Sequence, residues 1–193
     1  MSRYKILDQH GINFVTLTVV DWIDVFIRKR YKDIVIESLK HCQKEKGLVV
    51  YAYVIMSSHI HLIAEAKGSI PLSDILRDFK KFTSKTILRE IEHGEYESRR
   101  EWMLNRFAFR GHNASGNRQY QFWQSDNHPI ILYTLPVIAQ KIIYIHNNPV
   151  VEGWVEQADQ YLYSSASNYV GNTGLLDVAV VDMPMSWEGY TAI

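Results

Sequence analysis

Apolar and polar positions along the chain follow two different periods, which predict strands and helices in a definite order. Some stretches are short and rich in β-branched and aromatic residues, as strands are, whereas longer ones carry apolar residues at the spacing of a helix. In chain order, we predict a strand at 12–20, a helix at 31–46, strands at 48–55 and 59–66, a helix at 71–91, a strand at 120–124 and a helix at 135–148.

This order of elements favours an α+β fold. The strands at 48–55 and 59–66 are separated by a short break, so they predict a tight hairpin. A strand and a helix before the hairpin, and a helix and a strand after it, match the ferredoxin-like sandwich, in which helices cover one face of an antiparallel sheet and leave the other available for a ligand. We therefore predict a single domain over residues 1–193, which also contains the helix at 135–148.

Charge is distributed unevenly, although the formal net charge is zero. Residues 77–118 hold ten Lys or Arg against six Asp or Glu, whereas residues 150–193 hold six acidic residues and neither Lys nor Arg. The segment 92–118 is interpreted as a basic insertion, either ordered or mobile, with a short helix near 97–108. The stretch from about residue 170 is interpreted as an acidic tail. A basic middle segment fits a surface that faces phosphate groups.

The composition is that of a globular protein, with 47% hydrophobic and 22% charged residues. These fractions argue against disorder and against a coiled coil. No apolar run is long enough to cross a membrane, and the first residues lack the features of a secretory signal, so we expect a cytoplasmic protein with no membrane association. The one cysteine, Cys42, can form no internal disulfide and is expected to be a buried, inert thiol.

Two histidines form the first candidate for chemistry. His59 and His61 are two residues apart in a predicted strand, so their side chains point to the same face, about 6.5–7 Å apart along the chain. Both rings could therefore reach one cation. The alternative is a pair of ordinary surface histidines in a half-exposed strand.

The helix at 135–148 carries the second candidate. Lys141, Tyr144 and Asn148 have the spacing that places side chains on one face of a helix, beside the apolar stripe that faces the core. Pro149 biases Asn148 away from helical geometry and could leave its amide at a frayed helix end. The alternative for Tyr144 is an amphipathic aromatic residue whose ring packs in the core.

These residues lie in segments that resemble a known family. MSSHIHLI at 56–63, together with YIHNNPVVEG at 144–153, resembles the paired signature of the single-tyrosine HUH transposases, in their REP-associated, insertion-sequence-like branch. WQSDNHP at 123–129 and YLYSSASNY at 161–169 are similar to two further segments of that family. In one departure, Ser58 replaces the asparagine that usually precedes the first histidine.

The resemblance implies a role for each candidate residue. His59 and His61 would be metal ligands, Asn148 a third ligand, and Tyr144 the nucleophile on its own helix. The implied activity is metal-dependent nicking and strand transfer of single-stranded DNA through a 5′-phosphotyrosine intermediate, as in DNA transposition or the processing of REP hairpins. The implied cofactor is Mg²⁺ or Mn²⁺. The protein would act on hairpin-forming single-stranded DNA, as a monomer or a homodimer.

Basic and aromatic residues supply candidate DNA contacts. Phosphates could be bound by the cationic side chains of the 71–91 helix, and an aromatic ring could stack on a base. The residues assigned to DNA binding are Arg77, Lys80, Lys81, Lys85 and Trp123. The alternatives are a solvated helix face for the cations and core packing for the ring.

Two other functions are compatible with the sequence. A nucleic-acid-binding module could keep the fold without doing chemistry, although the complete set of candidate catalytic residues argues against this. A metal-dependent hydrolase could combine the two histidines with Glu65, which shares their strand face, but it would leave the segment around Tyr144 unexplained.

Overall fold

A four-stranded antiparallel sheet forms the centre of the structure. The computed structural model describes residues 5–95, 97–114 and 118–182. The strands are β1 (Asn13–Thr18), β2 (Leu48–Ile55), β3 (His59–Ala66) and β4 (Ile130–Ile131), in the spatial order β2-β3-β1-β4. Each neighbouring pair is antiparallel. The predicted α+β sandwich of the ferredoxin-like type is confirmed.

Two long helices cover one face of the sheet. These are α1 (Lys29–Lys46) and α2 (Leu72–His93), and they pack against each other as well as on the strands. The helix α1 ends at Gly47, which has a φ of 70°. A Cβ atom there would lie 2.0 Å from the carbonyl oxygen of Lys67, so glycine is required for the chain to turn into β2.

The opposite face carries another helix, α4 (Leu135–Val151). Its stripe of Ile138, Ile142 and Ile145 is buried, and the helix packs against β2 and β3. The face that the sequence pattern leaves open to a ligand is therefore partly covered by a helix, because this apolar stripe must be removed from water.

The effect of a proline on the residue before it suggests that α4 should end at Asn148. In the structure it does not end there. The helix continues to Val151 with Pro149 inside it. Proline lacks the N–H that would bond one turn back, and in the same turn the Asn148 side chain donates a hydrogen bond of 2.6 Å to the carbonyl oxygen of Tyr144. Asn148 is thus held in helical geometry rather than at a frayed end.

The predicted strand at 120–124 is wrong. In this stretch Phe122 and Trp123 are adjacent and both buried, whereas strand alternation would place one on each face. The segment follows β1 only irregularly, through one isolated bridge between Val19 and Trp123. The fourth strand is instead the short β4.

Part of the basic insertion is helical. It forms a helix, α3 (Arg100–His112), which buries Met103 and Phe107 and contacts α2. In the acidic tail, Leu176 is buried and the N–H of Ala179 donates to Val50 of β2. Residues 183–193 lie outside the described part of the chain. The single domain over 1–193 stays a prediction.

None of the helices in the described residues is long and apolar enough to cross a membrane. Cys42 is buried in α1, and burial raises the pKa of its thiol to about 11. At neutral pH the side chain is therefore an unreactive thiol that packs against the core.

A buried histidine on α4 gives a prediction about stability. His146 is fully buried, 2.8 Å from the hydroxyl of Ser165, and burial lowers its pKa from 6.5 to about 3. Between these two pH values the unfolded chain binds a proton that the folded chain does not. The free energy of unfolding should therefore fall with acidification below pH 6.5, with this group contributing about 1.4 kcal/mol per pH unit.

We expect His146→Gln to reduce the dependence of the unfolding free energy on pH by about that amount between pH 6.5 and pH 5. Urea titrations at several pH values measure it, and the exposed His93 provides the control as His93→Gln. Parallel pH curves for wild type and His146→Gln would show that burial does not hold this imidazole neutral.

Candidate active site

The strand β3 places the two candidate histidines side by side. His59 and His61 lie on the same face, and their ring centroids are 4.7 Å apart. His61 is buried, with 6% of its surface exposed, and His59 is half-buried. Ile60 between them points to the other face and is buried under the helices there. The structure thus brings the pair together as the alternation of the strand predicts.

Contacts from β1 fix the ring of His61. Its partner across the strands is Thr16, whose hydroxyl lies 2.9 Å from Nδ1, and the ring of Phe14 stacks on it at a centroid distance of 5.4 Å. When Nδ1 carries the proton and donates to Thr16, the other nitrogen, Nε2, presents a lone pair. Hydrogen bonds of this kind orient histidines that bind metals.

Burial keeps both imidazoles neutral. It lowers the pKa of His59, and it lowers the pKa of His61 to about 3, with smaller contributions from the neighbouring His59 and the ammonium group of Lys141. Neutral imidazole is the form that coordinates a metal. The pair is therefore in the protonation state that metal binding needs at neutral pH.

The helix α4 brings Tyr144 to the same place. Its hydroxyl lies 3.4 Å from Nε2 of His61, and the two ring centroids are 5.2 Å apart. The side chain is 47% exposed, so it is not the buried core aromatic of the alternative interpretation. Residues 83 positions apart in the sequence therefore meet at one point on the surface.

Lys141 adds a positive charge to this site. It lies one helical turn before Tyr144, and its Nζ atom is 5.5 Å from the centroid of the Tyr144 ring and 5.1 Å from that of Phe14. Its spacing from Tyr144 puts it on the same helix face, but the sequence gives it no role. The structure places its ammonium group over the Tyr144 ring as a cation–π contact.

Asn148 lies one turn after Tyr144. Its amide nitrogen donates to the Tyr144 carbonyl, which leaves the amide oxygen as the atom that it can offer to a cation. Across residues 5–95, 97–114 and 118–182, no hydrogen bond joins Asn148 to either histidine, and no three His, Cys, Asp or Glu side chains are grouped closely enough to hold a metal. A metal here would need the mixed set of two imidazoles and an amide.

Glu65 does not complete a hydrolase site. Its carboxylate accepts a hydrogen bond of 2.6 Å from the hydroxyl of Tyr51 and forms an ion pair of 3.1 Å with Lys67. It is therefore engaged with neighbouring side chains farther along β3. These contacts give Glu65 a structural role on the strand.

The predicted DNA-binding cations are divided between two grooves. Arg77, Lys80 and Lys81 line a groove of about 570 Å³ between α2 and the segment 118–127, whereas Lys85 lines another groove beside α1, which Lys81 also lines. The ammonium group of Lys80 donates to the carbonyl oxygen of Gln124 and to the side chain of Asn127, both at 2.7 Å. Burial lowers its pKa to about 8, and its two hydrogen bonds connect α2 to the segment 118–127.

The assignment of Trp123 to base stacking is wrong. The side chain is only 5% exposed, and its indole N–H donates to the hydroxyl of Thr83 at 3.1 Å. Its ring packs against those of Phe122 and Phe79 in the core. A base has no access to a ring in this position. An exposed tryptophan beside the histidines is Trp22. Sequence reasoning did not identify it, because no helix or strand pattern shows where a tryptophan after β1 would point.

Comparisons with known proteins agree with this architecture. The sequence profile of the family described as "Transposase IS200 like" matches residues 15–115, which is more than half of the chain. The matched region includes both histidines and ends before Tyr144. No curated protein sequence matches the chain.

Two solved structures resemble the chain to different extents. One, a REP-associated tyrosine transposase bound to a REP hairpin, has a TM-score of 0.63 and 16% identity, over 96% of this chain and 100% of that chain. At this identity the likeness shows a shared fold. A protein assigned as a transposase from Deinococcus radiodurans R1 has 12% identity over 75% of this chain and 96% of that chain, with a TM-score of 0.39 that is too low to carry an argument. From the match over residues 15–115, the chain belongs to the IS200-like transposase family.

Proposed function

We propose that this member of the family nicks and rejoins single-stranded DNA through a 5′-phosphotyrosine intermediate on Tyr144. One observation carries the proposal, namely that the tyrosine hydroxyl lies 3.4 Å from a histidine nitrogen whose neighbour on the strand is a second histidine. A nucleophile beside two potential metal ligands is the arrangement that phosphodiester transfer needs.

The residues of the site fit a divalent metal. Both imidazoles are held neutral by burial, Thr16 orients one of them, and the amide oxygen of Asn148 is on the tyrosine helix. His59, His61 and Asn148 would hold Mg²⁺ or Mn²⁺, which would act as a Lewis acid on a phosphate oxygen. An amide oxygen and phosphate oxygens suit these hard cations, although imidazole alone would also accept other transition metals.

The cleavage step forms one bond and breaks one. The oxygen of Tyr144 attacks the phosphorus, the bond from phosphorus to the 3′ oxygen of the DNA breaks, and the 5′ phosphate stays on the tyrosine. The phenol proton leaves to solvent, which reaches this half-exposed side chain, and the departing 3′ oxygen takes up a proton. Because the phosphodiester energy is retained in the intermediate, a 3′ hydroxyl can attack it later and rejoin a strand.

Two side chains assist Tyr144 in this step. The contact at Nε2 of His61 places the phenol hydroxyl beside the nitrogen that would bind the metal. Lys141 places an ammonium group near the tyrosine ring, where it stabilises negative charge on the attacking oxygen and on the phosphate. Both contacts exist before DNA binds, so the site is partly preorganised.

Hairpin-forming DNA is the proposed substrate. The structure with the shared fold is bound to a REP hairpin, which supports this class of partner. In this chain, Arg77 and Lys81 line the groove beside α2, where they can contact the phosphates of a stem. We propose that the protein works in this way as a monomer or a homodimer.

An assay for a covalent adduct tests the function. The protein is incubated with labelled stem-loop DNA that has single-stranded flanks taken from the region around its own gene, with Mg²⁺ or Mn²⁺ or with a chelator. We expect a labelled protein band that survives denaturation and requires the metal. DNA binding without an adduct would instead identify a binding module of the same fold.

The role of Asn148 gives a prediction about metal dependence. If its oxygen is a ligand, Asn148→Ala should raise the metal concentration for half-maximal cleavage by about ten-fold or more. Asn148→Asp keeps an oxygen in place and adds a charge, so it should bind metal at least as tightly as wild type. Metal titrations of the cleavage rate measure both effects. If the titrations of wild type and Asn148→Ala overlap, Asn148 is not a metal ligand, and its amide serves only to bond the Tyr144 carbonyl within the helix.

A further inference from the structure

The chain adopts an unusual backbone conformation immediately after β1. Asp21 and Trp22 are consecutive, and both have positive φ angles, of 54° and 55°. Residues other than glycine rarely adopt this conformation, and two in succession persist only where surrounding contacts impose it. Such strain is often found at functional sites, so the contacts that hold this turn indicate what it is for.

Two arginines of α3 hold the turn. The carboxylate of Asp21 accepts hydrogen bonds from Arg106 at 2.5 Å and from Nε of Arg110 at 2.6 Å. The guanidinium of Arg110, with a smaller contribution from Arg106, keeps the pKa of this carboxyl below its usual value. The basic insertion thus anchors one residue of the strained pair.

The other residue of the pair is displayed beside the histidines. Trp22 is 59% exposed, and its ring meets that of His59 edge to face at a centroid distance of 5.3 Å. Burial in the core is favourable for an apolar ring of this size, because it removes the ring from water. The turn nevertheless holds the Trp22 ring at the surface. It is positioned next to the place where a phosphate would be cut.

A polar cleft lies alongside Trp22. It has a volume of about 450 Å³, and its lining includes Arg110, Gln121, Gln124 and Ser125. Gln121, Gln124 and Ser125 also line the basic groove beside α2, so the two cavities lie next to each other along this segment. Amide side chains, here those of Gln121 and Gln124, can form hydrogen bonds with the edges of bases.

We propose that Trp22 is a stacking platform for one unpaired base of the DNA strand next to the scissile phosphate, with the polar cleft receiving the edge of that base. The proposal rests on the proposed function, because it takes the histidine pair as the point of cleavage. The strand would run from this point across the cleft toward the cationic groove. The hydrogen bonds from Arg106 and Arg110 to Asp21 hold the turn, and with it the ring of Trp22, before DNA binds. Less conformational entropy is then lost on binding.

Fluorescence of a base analogue tests this inference independently of catalysis. A stem-loop oligonucleotide with a single-stranded thymidine extension carries 2-aminopurine at one extension position at a time. It is bound to Tyr144→Phe protein, which is not expected to cut it. We expect one position to be strongly quenched, the quenching to disappear in Trp22→Ala, and Trp22→Phe to restore part of it. The affinity should fall by about ten-fold in Trp22→Ala, as for other base-stacking residues.

Trp102 on α3 provides the matched control, since it is 50% exposed but does not line the cleft. In the Tyr144→Phe background, Trp102→Ala should leave the fluorescence quenching and the DNA affinity unchanged. Thermal unfolding should show that Trp22→Ala is folded. Equal quenching and affinity in Trp22→Ala and its parent would overturn the inference, and would leave this ring as a surface for another partner. If quenching depends on Trp22 but wild type forms no covalent adduct, only the proposed function fails.

Discussion

Tyr144→Phe is expected to abolish the covalent protein–DNA adduct, with a loss on the order of 10³-fold or more in cleavage rate, and to leave DNA affinity within about a few-fold. The change removes only the attacking oxygen. The ring keeps its edge-to-face contact with Phe14 and its position near Lys141, so the DNA-binding surface is preserved. Denaturing gels measure the adduct, and filter binding or anisotropy measures the affinity.

Tyr133 is a suitable control for this variant. It is 80% exposed and precedes α4, so Tyr133→Phe removes a hydroxyl from the same region without touching the site. It should form the adduct at the wild-type rate. Cleavage by Tyr144→Phe at a rate close to wild type would remove this tyrosine from the mechanism.

His59→Ala is expected to lower the cleavage rate by about 100-fold at a fixed metal concentration, because it removes one of three proposed metal ligands. His59 is the better of the two histidines to replace, since it is half-buried, whereas His61 is packed between Thr16 and Phe14. The fold of His59→Ala should therefore persist. Metal titrations of cleavage, with circular dichroism of the same samples, test both statements.

The exposed His41 on α1 serves as the control for this experiment. His41→Ala removes an imidazole from the helix layer on the other face of the sheet and should leave the titration unchanged. If His59→Ala cleaved DNA with the metal dependence of wild type, the pair would be two ordinary strand histidines, and the metal would have to be sought elsewhere.

Local patterns predicted what depends on local geometry. The alternation of β3 correctly placed His59 and His61 on one face, because a strand has a period of two whatever packs on it. The helical spacing of the isoleucines in α4 likewise predicted the stripe that is buried. The order of strands and helices then sufficed for the ferredoxin-like sandwich.

The positions of three aromatic side chains depend on tertiary packing and could not be predicted from local sequence patterns. The approach of Tyr144 to His61 depends on which face of the sheet α4 covers, and only the family resemblance suggested it. Trp123 was assigned to DNA because the residue type suits stacking, but its ring is in the core. The exposed position of Trp22 follows from ion pairs between Asp21 and a helix far along the chain, which no local pattern reveals.

The most direct test of the central claim is to locate the covalent bond. After reaction with hairpin DNA, the adduct is digested with nuclease and protease, and the peptides are sequenced by mass spectrometry. We expect a nucleotide 5′ phosphate on Tyr144 and on no other of the 12 tyrosines in the chain. A nucleotide attached to any other residue, or no attached nucleotide in a reaction that cuts the DNA, would contradict this claim.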